Sequence, residues 1–417
     1  MSQNVDLLCE MESLDTGRAI KETHYDVAEG VECLHYYAGV ANSLGGSVYN
    51  LPGGGRGGTN LAYAQREPLG VTLGIGAWNY PLQSALWKSV PALIFGNSMI
   101  FKPSEYTPST ALWLAQCYHE AGVPEGVFQV VLGGRDVGAE LVQSSEVAKV
   151  SFTGSATSGQ KVYEMASKGM KKVTLELGGK SPLIIFDDAD LNNAISGAMM
   201  ANWYSTGQVC SNGTRVFVHE SIAEEFVDRL IERTKKLRIG DPMDQNTDIG
   251  PMAHKQQMDK VLSYIDIGVN EGATLLYGGT RIHDLSDECK GGYFLLPAIF
   301  TNCTDDMAIV QEEIFGMVMT ILPFSTEEEV LARANDTDYG LAAGVFTKDI
   351  QRGHRLVRKL NAGATWINNY NLAPMQLPWG GHKHSGMGSE NGISGIEAWT
   401  QWKSVYVEMG DVECPYR

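Results

Sequence analysis

One cysteine lies in a short stretch whose residue types suit chemistry better than packing. Cys210 stands in TGQVCSNGT, residues 206–214, among glycine, serine, threonine and asparagine, so little side-chain packing is expected to bury its thiol. A thiolate is a nucleophile, and a glycine-containing loop lets a substrate approach and offers backbone amides to negative charge. An inert loop thiol is the alternative, and this stretch alone leaves both interpretations open.

Two further polar residues lie in otherwise apolar segments and can assist a nucleophile. Glu176 ends the alternating segment KKVTLE just before Gly178 and Gly179, where a general base can come close to a ligand. Asn79 lies between two aromatic residues and before Pro81, and its side-chain amide can donate to a developing oxyanion. A solvated glutamate and a turn asparagine are the alternatives.

Other polar residues follow strand-like segments, as nucleotide-binding residues do. Lys102 and Glu105 come after the strand-like segment MIF, and such residues at the carboxyl end of a parallel strand suit ribose and phosphate. Ser155 begins a helix directly after the strand-like EVAKVSFT, so free amides there can seat a pyrophosphate. The turn does not match G-x-G-x-x-G, and surface charge is the alternative for Lys102 and Glu105.

These residues are distributed over alternating strand-like and helix-like segments, which predicts an α/β fold with parallel sheets covered by helices. Strand-turn-helix units are predicted at 146–169, 181–208 and 214–240. In the last unit, Ser221 and Glu224 have the spacing of a capping box. Two alternating segments, NLAYAQRE and SVYVEM, are expected to be extended arms or edge strands, paired with another subunit or in a local hairpin.

Composition limits the environment and the partners of the protein. The length of 417 residues predicts two or three domains. No apolar run of about 18 residues and no basic-then-apolar leader occurs, so we expect no membrane span and a cytoplasmic location. Seven cysteines without C-x-x-C spacing favour reduced thiols over disulfides or a metal site. A net charge of −17 disfavours nucleic acid and anionic lipid as partners and favours a cationic ligand.

Together and in this order, the motifs resemble those of the aldehyde dehydrogenase superfamily over nearly the whole chain. They are WNYP, FKPSE, FTGS, ELGGKSP, GQVCSNGTRVFV, EEIFG and HSGMGSENG. GIGAWNYP, SPLIIFDDADL and RANDTDYGLAAGVFT are most similar to the branch that acts on betaine aldehyde and other aminoaldehydes. The resemblance implies an NAD-dependent enzyme that oxidises an aldehyde to a carboxylate through a thioester on cysteine.

The resemblance also implies roles for the matching residues. Cys210 would be the nucleophile, Asn79 the oxyanion donor and Glu176 the base that activates water. Lys88 and Glu390 would pass the proton outward. The residues expected to bind NAD are Trp78, Lys102, Ser104, Glu105, Gly154, Ser155, Leu177, Glu313 and Phe315. A carboxylate at position 105 would repel the 2′-phosphate of NADP, so NAD is the expected cofactor.

The implied fold has a Rossmann-type NAD-binding domain, an α/β catalytic domain and a small oligomerisation arm. The expected bounds are 1–49 with 68–178, then 179–392, and 50–67 with 393–417 for the arm. The usual N-terminal portion of the family is expected to be lacking before residue 1, which leaves the NAD-binding domain incomplete. A homo-oligomer, tetramer or dimer, is the expected assembly. Met317 and Ser389 depart from the family pattern, which generally has proline and arginine there.

Three aromatic residues indicate a substrate class. Tyr80, Trp87 and Trp379 occupy places at which related enzymes line the pocket for quaternary-ammonium aldehydes. Cation–π contacts of about 0.5–2 kcal/mol each suit a trimethylammonium group, so betaine aldehyde or 4-trimethylaminobutyraldehyde is expected. The alternatives are ordinary core rings in an enzyme of broad specificity, release of the thioester to coenzyme A, or a non-catalytic shortened chain that acts through oligomerisation.

Overall fold

The computed structural model describes residues 1–52, 59–283, 285–412 and 414–416, in which helices and strands alternate as the sequence predicts for an α/β protein. The helices are α1 (Val5–Thr16), α2 (Ile20–Ala41), α3 (Pro81–Ile94), α4 (Ser109–Glu120), α5 (Arg135–Gln143), α6 (Ala156–Ser167), α7 (Leu191–Met200), α8 (Ala223–Thr234), α9 (Lys255–Asn270), α10 (Ala308–Gln311), α11 (Glu327–Asn335), α12 (Ile350–Val357) and α13 (Gly392–Ala398). The strands are β1 (Ser47–Pro52), β2 (Thr59–Pro68), β3 (Val71–Ile75), β4 (Ser98–Lys102), β5 (Phe128–Val130), β6 (Lys149–Thr153), β7 (Lys172–Glu176), β8 (Pro182–Ile185), β9 (Arg215–His219), β10 (Thr274–Tyr277), β11 (Ala298–Thr301), β12 (Val318–Phe324), β13 (Tyr339–Gly340), β14 (Ala342–Phe346), β15 (Ala364–Ile367), β16 (His382–Lys383), β17 (Gly386–Met387) and β18 (Thr400–Val407).

A six-stranded sheet forms the first layer, in the order β17-β7-β6-β3-β4-β5. Its strands run parallel except β17, which pairs antiparallel with β7 at Gly386↔Glu176. Most residues of β3 and β6 are buried because helices cover the sheet, and the buried residues include the polar Thr72, Lys149 and Ser151. The parallel arrangement brings the carboxyl ends of β3, β4, β6 and β7 to one edge.

A seven-stranded sheet carries the second half of the chain, in the order β10-β11-β12-β9-β8-β14-β15. All of it is parallel except the edge strand β10. Every residue of β8 and β14 is buried, within an apolar cluster that includes Ile184, Phe217 and Val345. Strand β9 lies in this core, and the Cys210 loop leads directly into it.

A three-stranded antiparallel sheet, β1-β2-β18, joins the two alternating segments, so NLAYAQRE and SVYVEM pair within one chain. The sheet starts at Ser47, three residues before the expected start of the arm, and residues 53–58 of that arm lie outside the described residues. Strand β17, assigned by sequence to 179–392, joins the six-stranded sheet instead. The domain bounds otherwise stay a prediction.

The N-terminal helices α1 and α2 pack against α3 and α4 through a separate apolar cluster. Leu8, Val27, Tyr37, Leu86 and Trp399 are buried in it. Helix α3 begins directly after the loop that carries Asn79. The packing of α1 and α2 on α3 therefore helps to fix the position of that loop.

The predicted capping box on α8 is wrong. Ser221 lies in a 3₁₀ turn before the helix, where its hydroxyl contacts His219 Nδ1 at 2.8 Å. Glu224 and Glu225 lie in the first turn of α8, where their negative charges interact favourably with the positive end of the helix dipole. Over the described ranges, no helix combines the length and apolarity needed to cross a lipid bilayer.

Candidate active site

Four parallel strand ends gather residues that the sequence singled out. Asn79 follows β3, Lys102 ends β4, Ser155 follows β6 and Glu176 ends β7. The strands lie side by side in the order β7-β6-β3-β4, so these residues share one edge of the sheet. This edge is where open α/β sheets bind their ligands.

The Cys210 loop is more buried than expected from its polar composition. Cys210 itself is partly buried, and residues 205–209 and 211–213 around it are buried. Before it, Ser205 and Thr206 have φ values of 55° and 54°, in the left-handed region that disfavours side chains. The Ser205 amide donates to Glu22 Oε2 at 3.1 Å, so a carboxylate on α2 helps hold this strained turn.

A hydrogen bond links the Asn79 loop to the Cys210 loop. Asn79 Nδ2 donates to the Gln208 carbonyl oxygen at 2.9 Å, and the Asn79 side chain is 7% exposed. Because a primary amide has two N–H groups, the second remains for an acceptor near Cys210, two residues further along the chain. The Asn79 side chain therefore connects two loops rather than bonding within its own turn.

Burial raises the pKa of the Cys210 thiol to about 12, and the charges of Glu313 and Glu176 add to the rise. The backbone amides of Cys210 and Ser211 oppose it. The resting thiol is therefore protonated at neutral pH. The same two amides lie where they can donate to an oxyanion formed by attack of the sulfur.

Glu176 is a buried carboxylate rather than a solvated one. It is 5% exposed, and among the described residues neither carboxylate oxygen has a hydrogen-bond partner. Burial raises its pKa well above the ordinary value, the charge of Glu390 raises it further, and Lys88 opposes the rise. A buried carboxyl group without protein partners is suited to hydrogen bonding with a water or a substrate.

Lys88 and Glu390 form a buried ion pair near Glu176. Lys88 Nζ donates to Glu390 Oε1 at 2.9 Å, and both residues are 1% exposed. Ser151 Oγ donates to the same oxygen at 2.7 Å. Backbone hydrogen bonds between Trp379 and Glu390, at 2.7 and 2.8 Å, fix the segment that carries the acid.

The residues expected at the adenosine ribose lie together after β4. Lys102 Nζ donates to the Pro103 carbonyl at 2.9 Å and lies 4.0 Å from Glu105 Oε2. Ser104 Oγ accepts from the Tyr106 amide at 3.3 Å. The side chain of Glu105 is 55% exposed, so its carboxylate is accessible to a ligand.

Trp78, which follows β3 of the six-stranded sheet, contacts Phe315, which precedes β12 of the seven-stranded sheet. Their ring centroids are 5.2 Å apart in an edge-to-face arrangement. Phe315 has φ 64°, and Gln257 Nε2 donates to its carbonyl at 2.9 Å, which holds this strained residue. His254 lies 5.1 Å from Trp78 and stacks on Tyr106 at 4.2 Å, which extends the aromatic cluster toward Glu105.

Glu313 lies against the glycine pair that follows β7. The Gly179 amide donates to Glu313 Oε1 at 3.3 Å, and a Cβ at Gly178 would stand 2.1 Å from Glu313 Oε2. Only glycine permits this approach. Burial raises the pKa of Glu313 to about 7, while Lys260, the Gly179 amide and Lys180 oppose the rise.

Ser155 caps α6, its Oγ accepting from the Ser158 amide at 3.3 Å. Gly154 precedes it at the end of β6. The side chain of Leu177 is 5% exposed and packs under α6, where a Cβ at Gly159 would stand 2.4 Å from Leu177 Cδ2. Any contact of Leu177 with a cofactor would therefore use its backbone.

The three expected substrate rings divide into a pair and a separate residue. Trp87 and Trp379 are 6.0 Å apart edge to face, with exposures of 8% and 9%, and belong to the apolar cluster under α3. Tyr80 instead has the Arg18 guanidinium 4.2 Å from its ring centroid. One face of Tyr80 thus already holds a cation of the protein.

Sequence reasoning did not identify Gln208, Gln257 or Arg18. Gln208 lies in the GQVC motif and contacts Asn79 through its backbone, which carries no side-chain signal. Gln257 lies on α9 without a motif of its own. Arg18 follows the glycine of LDTGR, and a charged residue between two amphipathic helices gives no sequence sign that it is fully buried.

The chain is similar to known proteins along nearly its whole length. The model of the aldehyde dehydrogenase family matches residues 1–405. The chain is 55% identical over 410 residues to betaine aldehyde dehydrogenase of Brucella anthropi, with 98% of this chain and 82% of that protein covered. It is 53% identical over 411 residues to human 4-trimethylaminobutyraldehyde dehydrogenase, with 99% of this chain and 82% of the human protein covered.

Solved structures give the same result for the fold. Betaine aldehyde dehydrogenase from Staphylococcus aureus, solved in complex with NAD+, superimposes on this chain with a TM-score of 0.96 at 39% sequence identity. The superposition includes 100% of this chain and 82% of the Staphylococcus aureus chain. A match along almost the full length at such identity leaves one conclusion about ancestry: the chain belongs to the aldehyde dehydrogenase family.

Proposed function

We propose that this chain is an NAD+-dependent aldehyde dehydrogenase whose substrate is a cationic aminoaldehyde, betaine aldehyde or 4-trimethylaminobutyraldehyde. The observation that carries the proposal is the 2.9 Å hydrogen bond from Asn79 Nδ2 to the Gln208 carbonyl. It fixes an amide donor beside the Cys210 loop, although the two residues are far apart in sequence.

The first step is attack of the Cys210 sulfur on the aldehyde carbon. As the S–C bond forms, the carbonyl oxygen becomes an oxyanion, which the free N–H of Asn79 and the backbone N–H of Cys210 stabilise. Removal of one such donor typically costs about 10²–10³ in rate. Preorganised donors in a buried loop need little rearrangement as this charge develops.

After the adduct carbon has lost hydride, the acyl group is bound to Cys210 as a thioester, and Glu176 serves the hydrolysis of that thioester. A water attacks the acyl carbon while Glu176 takes its proton, the C–S bond breaks, and the carboxylate product leaves. Burial raises the pKa of Glu176, so its ionised form is a stronger base than an ordinary glutamate carboxylate, while the same burial reduces the fraction that is ionised. The Lys88–Glu390 pair, coupled to Glu176 by charge, gives this proton a route toward solvent.

The residues present fit a dinucleotide. Lys102 and Glu105 would hold the adenosine ribose, Ser155 the phosphates at the start of α6, and Glu313 the nicotinamide ribose. The absence of a side chain at Gly178 lets the Glu313 carboxylate lie against the backbone that follows β7, because a Cβ there would stand 2.1 Å from Glu313 Oε2. When bound, NAD+ would accept the hydride that leaves the substrate carbon, and the positive charge of its nicotinamide ring would oppose the high pKa of Cys210.

The cationic substrate is supported by two of the similar proteins, whose names state betaine aldehyde and 4-trimethylaminobutyraldehyde. A net charge of −17 favours a positively charged ligand over an anionic one. The aromatic pair Trp87 and Trp379 offers ring surface for a quaternary ammonium group.

The reaction is tested with purified chain, NAD+ and betaine aldehyde, with NADH absorbance as the readout. Wild type is expected to produce NADH, and Cys210→Ala to produce none. Cys117→Ala is the matched control, because this thiol is also partly buried but lies on α4. Turnover that survives Cys210→Ala would contradict the assignment of the nucleophile, and a folded wild type inactive on all aldehydes would favour a non-catalytic role.

Substrate charge is tested with a neutral isostere. In tert-butylacetaldehyde a carbon replaces the quaternary nitrogen of betaine aldehyde, so size and shape are kept. We expect a higher kcat/KM for the cationic aldehydes. Equal values, or a preference for the neutral one, would contradict the cation–π proposal and leave the aldehyde oxidation intact.

An aldehyde dehydrogenase of broad specificity is the second candidate. It is favoured by the burial of Trp87 and Trp379 in the apolar cluster and by the presence of Arg18 on Tyr80. The isostere comparison separates the two candidates. Release to coenzyme A is disfavoured because the chain has a base, Glu176, suited to hydrolysis.

A further inference from the structure

Arg18 lies at the junction of α1 and α2, directly behind the loop that carries Asn79. Its side chain is 0% exposed. Nη1 donates to the Asn79 carbonyl at 3.4 Å, and the guanidinium lies 4.2 Å from the centroid of the Tyr80 ring. One side chain thus contacts both the proposed oxyanion residue and its neighbour, while an ion pair with Asp26 fixes it to α2.

Glu12, on α1, holds the same loop from its other end. Its Oε1 accepts from the Leu82 amide at 2.8 Å and from Thr110 Oγ1 at 3.0 Å, and Oε2 lies 4.0 Å from Arg18 Nη1. Helix α3 has no side-chain cap of its own. A carboxylate from another helix therefore supplies the acceptor that a first-turn amide of α3 needs.

Two acidic residues of α2 near Arg18 contact the segment that leads into the Cys210 loop. Glu22 accepts from the Ser205 amide, and Asp26 accepts from Tyr204 Oη at 3.3 Å. The Arg18 guanidinium lies 5.9 Å from the Tyr204 ring centroid. The same short segment of α1 and α2 therefore holds both loops that the Asn79–Gln208 hydrogen bond joins.

From these contacts we infer that Arg18 is a positioning residue, which sets the direction of the Asn79 side-chain amide by holding its carbonyl and the ring of Tyr80. This inference rests on the proposed function, in which Asn79 donates to the oxyanion. Arg18 is 0% exposed, so it is expected to act through Asn79 and Tyr80 rather than by touching a ligand. Its guanidinium makes these contacts with a planar, multiply donating group, which the single ammonium of lysine cannot reproduce at the same time.

If Arg18 directs the Asn79 amide, replacing Arg18 should slow only those reactions of Cys210 that pass through an oxyanion. When p-nitrophenyl acetate acylates Cys210, an S–C bond forms, an oxyanion appears, and p-nitrophenolate leaves. When iodoacetamide alkylates Cys210, sulfur displaces iodide and no oxyanion forms. A misdirected Asn79 amide slows only the first reaction, whereas a displaced or less acidic thiol slows both.

The test measures both rates at Cys210 in Arg18→Lys, with alkylation followed on the Cys210 peptide by mass spectrometry. We expect acylation, and kcat for aldehyde oxidation, to fall about ten- to a hundredfold, because small misplacements of a catalytic group have effects of this size. Alkylation and NAD+ affinity are expected to stay at the wild-type value. Arg352→Lys is the matched control, since Arg352 also pairs with an aspartate and its guanidinium lies 4.6 Å from the centroid of the Phe186 ring. This control substitution is expected to change neither the acylation rate nor the alkylation rate.

Unchanged acylation in Arg18→Lys, beside slow acylation in Asn79→Ala, would overturn the inference and leave the proposed function standing. Fast acylation in Asn79→Ala would overturn both the inference and the assignment of Asn79 as the oxyanion donor, whereas aldehyde oxidation through Cys210 is tested separately by Cys210→Ala. Equal loss of acylation and alkylation in Arg18→Lys would also overturn the inference, since the thiol itself would be displaced.

Asp26→Asn gives the same test if Arg18→Lys does not accumulate as folded protein. The asparagine oxygen still accepts from Tyr204, whereas Arg18 loses its ion pair. Slower acylation with unchanged alkylation supports the positioning role, and unchanged acylation overturns it.

Discussion

The thiol, the amide and the carboxylate of the candidate site each have a different physical environment. Cys210 is desolvated and faces two negative charges, so its resting form is the thiol. Asn79 is held by hydrogen bonds at its side chain and at its carbonyl. Glu176 is buried, and its carboxylate oxygens have no hydrogen-bond partner within the part of the chain that the structure describes. These environments predict an enzyme that is little reactive until a ligand changes the charge around the sulfur.

Removal of the Glu313 charge is expected to make the resting thiol more acidic. After burial, Glu313 is the largest cause of the raised pKa of Cys210, so Glu313→Gln lowers that pKa. The rate of Cys210 alkylation by iodoacetamide, measured without NAD+ against pH, should therefore rise at lower pH than in wild type. Because the pKa of Glu313 is itself about 7, the difference should be clearest above neutral pH.

Glu312→Gln is the control for this measurement. Glu312 is adjacent in sequence but accepts a hydrogen bond from Tyr264, and the main causes of the raised pKa of Cys210 do not include its charge. Its alkylation profile should coincide with that of wild type. Coincidence of the Glu313→Gln profile with wild type would contradict the electrostatic account of the thiol.

At the scale of elements, close packing of α6 on β7 positions both Ser155 and Glu176. The packing depends on Gly159, where a Cβ would stand 2.4 Å from Leu177 Cδ2. Since Ser155 begins α6 and Leu177 follows Glu176, a displaced helix changes the phosphate seat and the base together.

Gly159→Ala is therefore expected to destabilise the protein by about 1–3 kcal/mol, the usual cost of overpacking. It should also weaken NAD+ binding. Denaturant unfolding and NAD+ titration measure the two effects. Gly39→Ala, in the interior of α2, is the control, because a Cβ there meets nothing within 4 Å and alanine favours a helix. Unchanged stability and NAD+ binding in Gly159→Ala would contradict the packing argument.

Local patterns predicted more of the site than non-local contacts did. The strand-turn-helix unit around Ser155 and the strand ending at Glu176 follow from apolar runs and glycines close in sequence, and the structure confirms both elements. Glu390, in contrast, meets Lys88 and Ser151 across more than two hundred residues of chain. No local pattern reports such contacts, so the pair came from family resemblance. Arg18 was missed for the same reason.

At the scale of the whole molecule, the sheet of β1, β2 and β18 stands apart from the two large sheets. Its outer strands β1 and β18 have unpaired edges among the described residues, and exposed apolar side chains lie on them, including Val48, Tyr49, Trp402 and Tyr406. Exposed strand edges with apolar side chains favour pairing with another chain.

The chain is accordingly expected to form a homo-oligomer through this arm. Val48→Glu, at a residue that is 71% exposed, should shift the protein toward smaller species because it places charge in the interface. Light scattering after size exclusion measures the mass. Met170→Glu is the control, at an apolar residue that is 91% exposed on another surface. A monomeric wild type, or an unchanged mass in Val48→Glu, would contradict this role of the arm.

The most direct test of the proposed chemistry is to stop it after the first half-reaction. Glu176→Gln keeps the size of the side chain but cannot take a proton from water, so the acyl group should remain on the enzyme. With NAD+ and betaine aldehyde, this variant is expected to release a single equivalent of NADH per chain and to carry the acyl mass on the Cys210 peptide. Continued turnover at the wild-type rate, or an acyl group on any residue other than Cys210, would contradict a mechanism in which Cys210 forms the thioester and Glu176 activates the water that removes it.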